Sequence, residues 1–188
     1  GHSRYCDETG GDYFDYMGMP KGGVTVAVGD VMGHGVAAAL LMATARAALR
    51  AACLESVDLA TVMPRVNDVL AADLRHKRFM TMTLVTANPE PRSIRWASAG
   101  HDPIIIYQPS IDTFTELDDG DLPLAIEPDI QYEVYEISNL AKGTIVFIGT
   151  DGIWETMDAA SNQFGKDRLR EIIEENASQG PEAIGKAV

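Results

Sequence analysis

Cysteine is nearly absent: Cys6 and Cys53 are too few and too far apart for a disulfide framework or a thiolate metal site. Reduced thiols in a cytoplasmic protein are the plain expectation. Basic residues are scarce too, with 15 Lys and Arg against 28 Asp and Glu, a formal net charge of −13. That balance lacks the cationic footprint of a protein that grips a phosphate backbone, so nucleic acid is not an expected partner. No apolar run is long. Val36 to Ala45 stops at Arg46, short of a membrane span, and no signal peptide precedes it. Familiar catalytic devices are missing as well. "GDVMGHG" misplaces its glycines for a dinucleotide fingerprint and has no P-loop lysine, and neither a Cys-x5-Arg loop nor a nucleophile elbow occurs.

What is present is a set of acids in one kind of place. Asp12 in "TGGDYFDY", Asp30 in "AVGDVMGHG" and Asp151 in "FIGTDGIWE" each sit beside glycine at one end of an apolar run. There a carboxylate can project from a rigid sheet into a crevice while the backbone comes close to a ligand. A single Asp-Gly or Gly-Asp is a common turn former. Three together point beyond turns, to hard oxygen ligands of the kind that suit Mg²⁺ or Mn²⁺. Without such cations, converging carboxylates would repel one another and take up protons. His34 and His101 also lie in Gly-flanked turns, where each is either a supporting residue or a proton donor.

The hydrophobic pattern predicts strands over Asp12–Met17 and Thr25–Asp30, joined by a turn at Pro20-Lys21-Gly22-Gly23. An Ala-rich helix over Val36–Leu54 should follow. A second helix, capped by Thr61 with Pro64 in its first turn and Val66, Leu70 and Leu74 on one face, should pair with it. Strands are then expected at 80–87, 93–99, 104–107, 114–117, 132–137 and 144–148. A last helix is expected at 166–176 with Ile172 and Ile173 inward. Segregated strands and helices predict an α+β layered sandwich rather than βαβ units.

The blocks "TGGDYFDY", "VAVGDVMGHGVAAALLM", "WASAGHDPIIIY", "LPLAI", "GTIVFIGTDGIWE" and "FGKDRL", in this order, resemble the SpoIIE/RsbU-like bacterial branch of the metal-dependent type 2C (PPM) protein serine/threonine phosphatases. The likeness covers nearly the whole chain. It implies a β-sandwich flanked by helices, in α-β-β-α layers, with two Mn²⁺ or Mg²⁺ ions at one edge. By the same likeness Asp30 would bridge the ions, Asp12 and the Val31 carbonyl would complete one position, and Asp151 would belong to the other. His34 is a candidate proton donor to the leaving group. A further Asp in a "DD-hydrophobic-T" block would normally complete the second position, and none occurs here.

Gly1-His2-Ser3 reads as a cloning remnant, and Pro181–Val188 as the start of a helix. The expectation is therefore a phosphatase domain over 4–188, truncated at both ends and lacking its last strand. The resemblance further implies a phosphorylated regulatory protein of the anti-sigma-factor-antagonist type as partner, and a sensor or receiver domain in the parent chain. The alternative is a catalytically weak or inactive interaction module in bacterial signalling. A small-molecule phosphatase would need basic residues to orient its substrate, and the Gly-rich loops supply none.

Overall fold

The computed structural model describes residues 1–3, 10–19, 22–73 and 78–188. In chain order the elements are β1 (Tyr13–Gly18), β2 (Val24–Val31), α1 (Val36–Glu55), α2 (Leu59–Asp73), β3 (Met80–Asn88), β4 (Ser93–Ala99), β5 (Ile104–Gln108), β6 (Thr113–Leu117), β7 (Tyr135–Ser138), β8 (Ile145–Phe147), α3 (Lys166–Asn176) and α4 (Pro181–Ala187). Two antiparallel sheets with helices make an α+β fold, as the segregated pattern predicts. The chain divides into two compact units. One comprises Ser3–His101 and Asp119–Asn139; the other comprises Gly1–His2, Asp102–Asp118 and Leu140–Val188.

The first unit holds a five-stranded sheet in the order β1-β2-β3-β4-β7. The hairpin register pairs Tyr13 with Gly29 and Gly18 with Val24. Pro20 and Lys21 of the expected turn lie outside the described residues, as does Leu74 of α2. α1 buries Ala38, Leu41, Ala45, Leu49 and Ala52, a stripe at helical spacing whose alanines allow close approach. Its core is shared with Val62, Met63, Val66 and Leu70 of α2 and with Ala27, Met82, Leu84 and Ala97 of the sheet. The two helices thus form one layer against the sheet.

Four sequence expectations need correction. α2 begins at Leu59, not after a Thr61 cap. The Asp58 carbonyl accepts the N–H groups of Thr61 and Val62 at 3.0 and 2.9 Å, and its carboxylate faces the Thr61 hydroxyl at 3.3 Å. Asp58 therefore closes the N-terminus, and Pro64 falls beyond the first turn. β7 starts at Tyr135 rather than Tyr132 because the Glu133 N–H is taken by the Asp121 carboxylate at 2.8 Å, which holds that stretch off the ladder. α1 does have the length and apolar composition of a membrane span, since Arg46 does not end it. In α3 the inward pair is Leu169 and Ile173, four residues apart on one face, with Ile172 only half-buried.

The second unit holds the order β6-β5-β8. Ile105 and Tyr107, alternating on one face of β5, pack with Leu169 and Ile173 of α3 and Ile184 of α4. α4 carries Pro181 in its first turn, as expected, where the missing N–H costs nothing.

Candidate functional site

The antiparallel register that pairs Tyr13 with Gly29 continues one step outward, setting Asp12 opposite Asp30. Directly opposed residues of an antiparallel pair project to the same face. The backbone continues with them, for the Val31 N–H donates to the Gly11 carbonyl at 3.3 Å. Gly11 is pressed into the end of β2. A Cβ there would stand 2.8 Å from the Val31 carbonyl oxygen, 3.1 Å from Asp30 Oδ1 and 3.2 Å from the Gly33 carbonyl oxygen. A side chain there would collide with three oxygens, one of them a carboxylate's, so only glycine lets the lead-in to β1 come this close to the end of β2. Carboxylate and carbonyl oxygens suit a hard divalent cation, and Asp12 stands beside them, so the residues fit the expected ion.

Asp30 is held from the other side by β3, whose Thr81 pairs with it in register. The Thr81 hydroxyl lies 3.4 Å from the Asp30 carbonyl oxygen and 2.9 Å from Nδ1 of His101, which is buried. His101 thus supports the sheet end that carries Asp30. Val31 is fully buried. His34 is exposed, in the turn between β2 and α1. That turn requires left-handed backbone at Gly33, with φ of 89°.

Asp151 belongs to the second unit, in an exposed turn where its carbonyl accepts the Glu155 N–H at 2.8 Å. Its electrostatic neighbour is Asp102. Burial pushes the Asp102 carboxyl above the usual range, Lys166 pulls it back, and Asp151, Glu155 and Asp118 raise it further. Among the described residues no three His, Cys, Asp or Glu side chains converge closely enough to hold a metal by themselves.

Four contributors were not read from the sequence. Asp15, buried in β1, accepts two hydrogen bonds from Arg50 of α1, at 2.7 Å from Nε and 2.6 Å from Nη2, and one from the Tyr13 hydroxyl at 2.8 Å. The Arg50 guanidinium, the largest influence, holds its carboxyl down at about 2. This pair fastens β1, and with it Asp12, to α1. Thr81 had no signal beyond strand alternation. Arg78 donates from Nη1 to the Met32 carbonyl at 2.7 Å, bringing a cation to a loop whose own sequence contains none. "GHDP" could have exposed Asp102, since it places an acid beside a Gly-flanked histidine.

The family model for Stage II sporulation protein E (SpoIIE) matches residues 20–188. The chain belongs to the SpoIIE family. It is 27% identical over 179 residues to phosphoserine phosphatase RsbU of Bacillus subtilis, covering 95% of this chain and 52% of that protein. This SpoIIE-family chain therefore spans about half the length of that relative. Among solved structures it resembles the SiaA PP2C domain of Pseudomonas aeruginosa, with a TM-score of 0.79 and 25% identity over 95% of this chain and 72% of the other. It also resembles RsbX, solved in complex with magnesium, with a TM-score of 0.70 and 22% identity over 95% of this chain and 78% of the other. The fold is that of the PP2C phosphatases.

Proposed function

We propose that this SpoIIE-family chain is a divalent-metal-dependent protein serine/threonine phosphatase that hydrolyses phosphoserine or phosphothreonine on a regulatory partner protein of the anti-sigma-factor-antagonist type, in the cytoplasm. The observation that carries this reading is the close seating of Gly11, the neighbour of Asp12, against Asp30 and the Val31 carbonyl. RsbU's name, phosphoserine phosphatase, supports the substrate class. The magnesium in RsbX supports the ion class.

Asp12, Asp30 and the Val31 carbonyl would hold one ion, and Asp30 with Asp151 a second. What the ions supply when bound is positive charge against the phosphoryl oxygens and a more acidic water for in-line attack. The residues of the chain do the rest. The backbone of Asp30 is fixed by its pairing with Thr81, so the carboxylate is presented from a rigid strand end. Gly11 lets the strand ends meet without a side chain between them. His34, exposed on the adjoining turn, can deliver a proton to the departing seryl oxygen.

The test is release of phosphate from a phosphoserine peptide by the full-length protein. Hydrolysis that vanishes with a chelator and returns with Mn²⁺ or Mg²⁺ is expected, and full activity in chelator would overturn the metal mechanism. The second reading, a weak or inactive interaction module, is favoured by the lack, among the described residues, of three converging acidic or histidine side chains. It predicts tight partner binding with no phosphate released at any Mn²⁺ concentration.

A further inference from the structure

The proposed substrate carries a doubly charged phosphoryl group to a protein with a formal net charge of −13. Ions at the carboxylates answer part of that repulsion. Several described cations of the same unit are committed to acids: Arg46 and Arg50 to Asp15, Arg65 to Glu55, and Arg95 to Asp58 and Glu136. Arg78 is placed differently. Among the described residues its hydrogen-bond partner is the Met32 carbonyl, a neutral group, and the contact brings a guanidinium to that loop.

Its seat is built for it. The Met32 N–H donates to the Phe79 carbonyl at 3.0 Å, carrying the β2–β3 pairing one residue past the Val31 and Met80 pair. That pairing lays Arg78 alongside Gly33. A Cβ on Gly33 would meet Arg78 Nη1 at 2.8 Å, so the guanidinium occupies room that a side chain would take. The Gly33 carbonyl meanwhile packs against Gly11, as do Asp30 Oδ1 and the Val31 carbonyl. Gly33 thus touches the guanidinium beside its α-carbon and Gly11 through its carbonyl. Of the five donors on an arginine fork, one is spent on Met32, and the half-buried side chain leaves the fork partly open to solvent.

We propose that Arg78 is the phosphate-recognising residue of this site, anchored by Met32 and binding a phosphoryl oxygen with its remaining donors. The proposal rests on the phosphatase reading above. Arginine suits the task because its planar fork stays charged at any working pH and pairs with phosphate through more than one donor.

The experiment compares the full-length protein with Arg78→Met and Arg78→Lys. Inorganic phosphate is titrated calorimetrically into Mn²⁺-saturated protein, and KM and kcat are measured with a phosphoserine peptide. Arg78→Met should weaken phosphate binding and raise KM by roughly 10- to 100-fold, the range for a lost hydrogen bond to a charged group. Arg78→Lys should recover part of the loss. Mn²⁺ affinity should stay within about twofold or tighten slightly, since a cation beside the ions has been removed. A merely structural clamp on the loop would instead weaken Mn²⁺ binding in both variants and leave phosphate affinity at saturating Mn²⁺ unchanged, and that result overturns the proposal. If the unmutated protein hydrolyses nothing, the phosphatase reading fails. The phosphate titration still decides the role of Arg78, because equal phosphate affinity in unmutated and Arg78→Met protein would refute it without any turnover.

Discussion

Asp15 shows how one buried carboxylate serves both stability and the site. The Arg50 hydrogen bond, the leading cause, holds its carboxyl below the ordinary 3.8, down to about 2. A depressed carboxyl contributes stability that is complete above the unfolded value and fades as pH falls through the folded one. The expectation is a loss of ~2 kcal/mol between about pH 5 and pH 2, which Asp15→Asn should largely abolish. Urea unfolding at stepped pH measures this, and an unchanged acid limb in Asp15→Asn would refute it. Asp30 differs in kind, because its proposed role is to contact both ions while Asp12 and Asp151 contact one each. Asp30→Asn should therefore remove both Mn²⁺ binding steps in calorimetry, whereas His34→Ala should leave them intact and lower turnover by ~10²–10⁴-fold. Two ions bound as tightly by Asp30→Asn would end the bridging role.

Between elements, the decisive contact is the lead-in to β1 against the end of β2. Gly11 can approach the Val31 carbonyl because it has no Cβ; alanine would place a carbon 2.8 Å from that oxygen. Real Cβ atoms do not sit so close, so the strand ends must part. The expected outcome for Gly11→Ala is a large loss of Mn²⁺ affinity with a smaller loss of stability, about 1–3 kcal/mol, from overpacking. Calorimetry beside thermal melting separates the two. Metal affinity unchanged in a folded Gly11→Ala protein would remove the strand-end site. α1 matters at this scale too. Its buried stripe joins the sheet and α2, and Arg50 reaches Asp15 from the same helix, so a shift of α1 would be felt at β1.

For the molecule as a whole, an excess of acid sets the electrostatic background. A formal charge of −13 on 188 residues disfavours the compact state through self-repulsion, and added salt should relieve part of it. Specific ion binding predicts more than screening. Mn²⁺ at about a hundred times its dissociation constant should add ~2.7 kcal/mol of stability. The melting temperature should therefore rise further in Mn²⁺ than in NaCl of equal ionic strength. Equal shifts in the two salts would mean screening alone.

Much of this was legible in the chain itself. Local patterns determine elements: turn formers on either side of 93–99, an unbroken Ala-rich run from Val36, and a glycine before Lys166 each yielded boundaries within a residue or so of those observed. Glycine beside acid singled out Asp12, Asp30 and Asp151 as candidates, and at Gly11 and Gly29 the glycine does answer to close backbone approach. Other features leave no such mark. Asp58 replaced Thr61 at the start of α2 through hydrogen bonds that either residue type could have made. The Asp121 carboxylate took the Glu133 N–H across a separation that no local pattern records. Arg78 and Met32 lie far apart in sequence, and Asp15 and Arg50 likewise, so their pairing exists only once β2 is zipped to β3 and α1 is laid on the sheet. The sequence by itself determined which residues could serve as ligands. Only the tertiary structure decided which charges stand beside them, because a charge acts through distance in space and the chain records only distance along itself.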